Sequence, residues 1–190
     1  IEFRTAIPLL KLHLYGNTFV VKSHRPPTSF LRLLVFLGIM KVTYIYRDPR
    51  DVIISAVEAG KKNRNRGKPA FAKFTTIKYS LPMVEQWLKN WEQWITVQNV
   101  HIVRYENLIV DPVNELNRLI DYLFPYTQDI NVDLDILISK YAKETSSNQK
   151  PRGLHFNKGI IGRYKSVMTI EEQELCHQHF RKYLEKMGYQ

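Results

Sequence analysis

A chain of 190 residues with 44% hydrophobic and 24% charged residues has the makeup of one globular domain with a sheet and covering helices, which excludes a disordered or collagen-like polymer. Its 28 Lys and Arg exceed its 18 Asp and Glu for a formal net charge of +10, which draws anionic partners such as nucleotides, nucleic acid, acidic glycans or membrane surfaces without choosing among them. A lone cysteine, Cys176, excludes an intramolecular disulfide and fits a reducing, cytoplasmic setting, and no apolar run approaches the roughly 18 residues of a membrane span.

In chain order, Phe19 to Ser23 reads as a strand ended by His24-Arg25-Pro26-Pro27, because two prolines stop a ladder. Lys22 and His24 are two apart, so an extended backbone points both to one face. Basic groups paired at a strand end suggest a site; the plain alternative is a solvated lysine beside a loop histidine. The apolar stretch from Phe30 to Met40 is short and contains Arg32.

Val42 to Tyr46 is a β-branched and apolar run of the kind found in a parallel strand buried on both faces. A helix is expected at once after it, with Asp48 as N-cap, Pro49 at N1, Asp51 three residues past the cap and Gly60 as the C-terminal cap. Arg47 then lies at the carboxyl end of the strand, beside free backbone N–H groups and the positive end of a helix dipole, where an anion is favoured. Ser55, about two turns on, offers a hydroxyl. The basic segment Lys61 to Lys68 is expected to be a solvated loop, with a mobile lid for an anionic acceptor as the minority reading.

Ile77, Leu81, Val84, Leu88, Trp91 and Ile95 mark an amphipathic helix from about Thr76 to Val97, whose tryptophans belong to the core. Val100 to Arg104 is a further strand, followed by Tyr105, Glu106 and Asn107. Asp111-Pro112 opens another helix with Val113, Leu116, Ile120 and Leu123 on one face. The recurrence of strand, loop and capped helix argues for βαβ units and a parallel sheet. A short helix is expected from Asp133 to Tyr141. The last helix runs from Ile170 to Met187, capped by Gly188, with Cys176 in its packed stripe.

Arg47 and Ser55 stand at the spacing of the 3′-phosphate-binding segment of sulfotransferases that use 3′-phosphoadenosine 5′-phosphosulfate (PAPS), which this segment resembles. Lys22-Ser23-His24-Arg25-Pro26 is similar to that family's Lys-x-His-Pro-like motif, with Arg where Leu is common. Arg104-Tyr105-Glu106-Asn107 resembles the family's Tyr-Glu-Asp segment, and Thr145-Ser146 its Thr-Ser-Phe segment, with Ser147 in place of the aromatic. Phe156-Asn157-Lys158-Gly159-Ile160-Ile161-Gly162-Arg163-Tyr164-Lys165 resembles the signature Arg-Lys-Gly-x-x-Gly-Asp-Trp-Lys, with Asn157 for Arg, Arg163 for Asp and Tyr164 for Trp.

The resemblance implies a P-loop NTPase-like three-layer α/β fold, a central parallel sheet flanked by helices, spread over residues 1–190 as one sulfotransferase domain. It implies His24 as catalytic base and Lys22 as the group that stabilises charge on the transferred sulfuryl. Arg47, Ser55, Asn157, Lys158 and Gly159 would hold the 3′-phosphate, Tyr105 and Thr145 the adenine, and no metal is needed. It also implies an N-terminal strand and a 5′-phosphosulfate loop, a Pro-Lys-Ser-Gly-Thr-Thr-Trp-like turn, that these residues do not carry, so a partial reading of a longer polypeptide is expected. Lys165-Ser-Val-Met-Thr169-Ile170-Glu-Glu-Gln-Glu174 resembles the dimerisation segment of cytosolic members, which implies a small two-fold contact.

The expected reaction is sulfuryl transfer from PAPS to an acceptor hydroxyl or amine in one in-line step, with 3′-phosphoadenosine 5′-phosphate (PAP) released. The acceptor is a small molecule, glycan or peptide; nucleic acid and membrane are not expected partners. Two alternatives remain in view: a nucleotide-binding homologue without catalysis, motivated by Asn157 and the missing loop, and a basic nucleic-acid-binding domain, motivated by charge and aromatics, although no RNP-like, KH-like or zinc-finger pattern is present. A nucleotide kinase shares the core, but Lys22, His24 and the Lys158-Gly159 loop suit sulfuryl transfer better.

Overall fold

The computed structural model describes residues 20–126, 133–139 and 159–190. Strands β1 (Val42–Tyr46) and β2 (Val100–Arg104) are hydrogen-bonded neighbours in a two-stranded parallel sheet. Helices α1 (Ser29–Phe36), α2 (Pro49–Arg64), α3 (Ile77–Trp94), α4 (Tyr105–Val110), α5 (Pro112–Leu123), α6 (residues 134–139), α7 (Tyr164–Val167) and α8 (Ile170–Met187) surround or follow these strands in sequence. A parallel pair needs a crossover, and α2 with α3 supplies it between β1 and β2. Along β1 burial alternates, and Ile45 is 54% exposed, so one face is open among the described residues where the sequence predicts two buried faces.

Among the described residues the chain divides into two compact units, residues 20–44 with 86–102, and residues 45–85 with 103–126, 133–139 and 159–190. In the first, α1 starts where the Thr28 hydroxyl accepts the Leu31 N–H at 3.2 Å. It buries Leu31, Leu34 and Val35, while the later half of α3 buries Leu88, Trp91 and Trp94. Arg32 ties the two helices, donating to the Gln93 carbonyl at 3.2 Å. The cap signal at Thr28 stands in the sequence, although the segment reads there only as a short apolar run.

Among the described residues the strand expected from Phe19 to Ser23 does not form: residues 20–23 pair with no described neighbour in a ladder, and Phe19 itself lies outside the described residues. Pro26 and Pro27 remove two backbone donors, and side chains of α3 take the carbonyls just before them. Asn90 Nδ2 donates to the His24 carbonyl at 3.2 Å, and Trp94 Nε1 to that of Arg25 at 3.1 Å.

In the second unit α2 begins as expected, with the Asp48 carboxylate accepting the Arg50 N–H and Pro49 at N1. It does not stop at Gly60. That glycine is buried inside the helix, and a Cβ on it would lie 2.3 Å from the Phe74 carbonyl oxygen and 2.6 Å from that of Phe71. Its role is close approach of the Phe71 to Phe74 turn, not a change of backbone handedness. The helix runs on to Arg64, whose Nη1 caps the Ala72 and Phe74 carbonyls at 2.8 and 2.9 Å. Lys61, Lys62 and Arg64 therefore form its last turn, where cations complement the dipole, and only residues 65–68 of the expected basic loop lie outside it.

Gly60→Ala is expected to lower stability by about 1–3 kcal/mol even though alanine is the better helix former by about 1 kcal/mol, because both clashing atoms are backbone. A thermal melt at or above the wild-type midpoint would contradict this.

A capping box between Thr169 and Glu172 starts α8, and Gly188 ends it in the left-handed conformation, as expected. α7 and α8 pack on α2. Cys176 is fully buried with Phe180 and Leu184, and burial pushes its thiol up to about 12, the state of a packing residue and not a nucleophile. Asp111 caps α5 by accepting the Asn114 N–H at 3.1 Å. Of the apolar face expected on α5, Val113 is exposed and Leu116, Ile120 and Leu123 are half-buried.

Candidate functional site

Both strands lead through an arginine into a helix: Arg47 follows β1 and is separated from α2 only by the N-cap Asp48, and Arg104 is the residue before α4. The backbone donors at the start of α2 are all taken. Asp48 N–H donates to Glu106 Oε1 at 3.1 Å, Pro49 has none, Arg50 N–H goes to Asp48 Oδ1 at 2.9 Å, and Asp51 N–H to the Asp48 carbonyl at 3.0 Å. This corrects the expectation of free N–H groups beside Arg47. Two carboxylates, Asp48 and Asp51, already answer the helix dipole, so an anion here would be held by side chains and by the later glycine-containing segment.

Arg47 sits over the Tyr105 ring, its guanidinium carbon 4.6 Å from the centroid. Its hydrogen bonds among the described residues both leave from Nη2, to Asp51 Oδ2 at 2.8 Å and to the Ile160 carbonyl at 2.6 Å. Its Nε is buried and finds no hydrogen-bond partner among the described residues. A guanidinium with a shielded, unmatched donor is suited to a phosphate oxygen.

Asp51 is the hub of the region. Its side chain is wholly buried and accepts Gly162 N–H at 2.8 Å and Tyr164 N–H at 3.0 Å in addition to Arg47. The sequence places it only as an early helix residue. Seven residues further along α2, Glu58 takes both guanidinium ends of Arg163, at 3.2 and 2.5 Å. This hydrogen bond raises the Arg163 guanidinium above the usual arginine value. Ser55 lies between Asp51 and Glu58 on the same helical face and is half-buried.

Glu106 has a structural role, tying down the Asp48 N–H with one oxygen and accepting the Tyr189 hydroxyl at 2.7 Å with the other. Burial, then that hydrogen bond, holds the Tyr189 hydroxyl well above the ordinary tyrosine value, so it stays a neutral donor. Arg104 stacks on the Tyr189 ring at 4.1 Å. Arg50 forms a paired contact with Asp48, donates to the Gln190 carbonyl at 2.6 Å and covers the Tyr164 ring at 4.1 Å. No sequence pattern signals this layer, because its partners are far apart in the chain.

Among the expected site residues, Arg47, Ser55, Tyr105 and Gly159 belong to the second unit, where Arg47 and Tyr105 are in direct contact. Gly159 has φ +63°, a conformation that favours glycine, next to Ile160, whose carbonyl Arg47 holds. Lys22 and His24 belong to the first unit, both exposed, with His24 anchored through its backbone. Thr145, Asn157 and Lys158 lie outside the described residues. Among the described residues no group of three His, Cys, Asp or Glu side chains could hold a metal ion, and no helix is long and apolar enough to cross a membrane. Lys165, Ile170 and Glu174 of the expected dimer segment are exposed.

The sulfotransferase domain family model matches residues 10–188. The 3-beta-hydroxysteroid sulfotransferase of Cavia porcellus is 26% identical over 92% of this chain and 68% of its own length. Sulfotransferase 1A1 of Bos taurus is 22% identical over 86% of this chain and 61% of its own. Among solved structures, mouse sulfotransferase SULT7A1 complexed with PAP superposes with a TM-score of 0.61 at 21% identity, covering 84% of this chain and 63% of that one. The chain thus spans about two thirds of the length of the relatives it matches. The structural likeness fixes the fold as α/β, P-loop NTPase-like, with a parallel sheet flanked by helices. With a family match across nearly its whole length, residues 10–188, the chain belongs to the sulfotransferase family.

Proposed function

We propose that this chain is the greater part of a single PAPS-dependent sulfotransferase domain that transfers a sulfuryl group to an acceptor hydroxyl or amine. The observation that carries the reading is Arg47: stacked on Tyr105, fixed by Asp51, and left with a buried Nε that no described residue answers. Arg47 and Ser55, with Asn157, Lys158 and Gly159, would hold the 3′-phosphate, and Tyr105 and Thr145 the adenine. When bound, PAPS supplies the sulfuryl group on a good phosphate leaving group.

His24 removes the acceptor proton, and Lys22 neutralises negative charge that develops on the transferred oxygens, so positioning and charge do the work. The acceptor is a small molecule, a glycan or a peptide side chain. The segment from Lys165 to Glu174 offers a small two-fold contact between copies, and the lone cysteine supports a reducing, cytoplasmic setting.

Calorimetric titration of the full-length polypeptide with PAP and with adenosine 5′-phosphate tests this reading. The 3′-phosphate is expected to improve affinity by about tenfold or more, given about 1.5–3 kcal/mol for a hydrogen bond to a charged group. Equal, weak binding of both nucleotides would overturn it.

A further inference from the structure

We propose that Asp51 and Glu58 are positioning residues for 3′-phosphate recognition, fastening the segment from Ile160 to Tyr164 along one face of α2 on either side of Ser55 while touching no ligand themselves. The proposal rests on the reading that Arg47 and Ser55 take the 3′-phosphate.

Residues 51, 55 and 58 are spaced four and three apart, so they share one face of α2. Asp51 holds the segment by its backbone. Gly162, at φ +71°, turns the chain so that its own N–H and that of Tyr164 reach one carboxylate. Glu58 holds the same segment by a side chain, the paired contact to Arg163, which is 7% exposed.

A carboxylate buried near a phosphate site would repel the ligand if it faced it. Asp51 instead directs its two oxygens to three donors that belong to the protein, and its charge is matched by Arg47. Arg47 is in turn bonded to the Ile160 carbonyl, so helix, strand end and later segment form one closed set of contacts. Loosening either fastening point releases the Gly159-bearing segment and the guanidinium together. Tyr105, which would meet the base, keeps its own place at the start of α4, so the effect falls mainly on the 3′-phosphate.

The test compares PAP with adenosine 5′-phosphate by calorimetry for the wild-type full-length polypeptide, Asp51→Asn, Glu58→Arg, Arg163→Glu and the double swap Glu58→Arg with Arg163→Glu. An asparagine keeps one acceptor oxygen and turns an NH₂ toward donors, so Asp51→Asn is expected to bring the PAP advantage close to unity while changing adenosine 5′-phosphate affinity less than about twofold. Each single reversal is expected to weaken PAP binding by about tenfold, and the double swap to restore most of it. A merely structural pair would lower both nucleotides alike.

A wild-type PAP advantage retained in Asp51→Asn, or a double swap no better than the single reversals, would overturn the proposal. If Asp51→Asn fails to fold, the swap decides. A wild type with no PAP advantage removes the proposed function and this proposal with it.

Discussion

Replacing Arg47 with alanine is expected to erase the affinity that a 3′-phosphate adds to adenosine 5′-phosphate, a loss of about 10- to 150-fold for a charge-assisted hydrogen bond of about 1.5–3 kcal/mol. The substitution removes more than a donor. Asp51, wholly buried, keeps the Gly162 and Tyr164 amides but loses its countercharge, and the Ile160 carbonyl loses its partner. Leaving a buried carboxylate without its cation is expected to cost a further 1–3 kcal/mol or so of folding stability, discounted because the Arg47 side chain is 17% exposed.

The two effects separate in Arg47→Lys. Lysine keeps a positive charge beside Asp51 but has no planar fork to stack on Tyr105 and pair with a phosphate. It is therefore expected to recover most of the melting temperature and little of the 3′-phosphate advantage. Wild-type PAP affinity in Arg47→Ala would show that the anion does not bind at the end of β1.

The parts of this fold legible in the sequence are those set within a few residues. Asp48-Pro49 starts α2, Asp111-Pro112 starts α5, and Gly188 ends α8, because caps act on neighbouring backbone. The meeting of Arg47 and Tyr105 is legible for a related reason: adjacent parallel strands that each end in a helix bring equivalent positions together. What escapes is set by distant partners. Asp51 reads as a helix-start acid, and its acceptors' role depends on Gly162, 111 residues away. The N–H groups that the sequence leaves open are closed by Asp48 itself and by Glu106, 58 residues on. Gly60 looks like a helix end because only the later Phe71 to Phe74 turn reveals why it must lack a side chain. The run before His24 has strand composition, yet a strand exists only where a neighbour completes its ladder, and the residues that follow the run, His24 and Arg25, are held instead by side chains of α3.

His24→Ala is expected to lower PAPS turnover by about 10²- to 10⁴-fold, the span ascribed to a positioned general base, with PAP affinity unchanged. The anchoring makes this a clean substitution. Asn90 and Trp94 hold the backbone carbonyls of His24 and Arg25, not the imidazole, and the side chain is exposed. Truncation to alanine therefore leaves every described contact of the segment in place, and stability should move by no more than about 0.5 kcal/mol. A drop in turnover with the same melting temperature and the same PAP binding can then arise only at the chemical step or at the acceptor. Lys22→Ala gives the contrast: it removes charge stabilisation and leaves the base, so its effect should combine non-additively with that of His24→Ala if both act on one transition state. Acceptor-dependent release of PAP by the full-length polypeptide is the measurement. Undiminished release in His24→Ala would place the base elsewhere, whereas a wild type that binds PAP tightly and releases none with any acceptor hydroxyl or amine would make the chain a nucleotide-binding member of the family that does no chemistry.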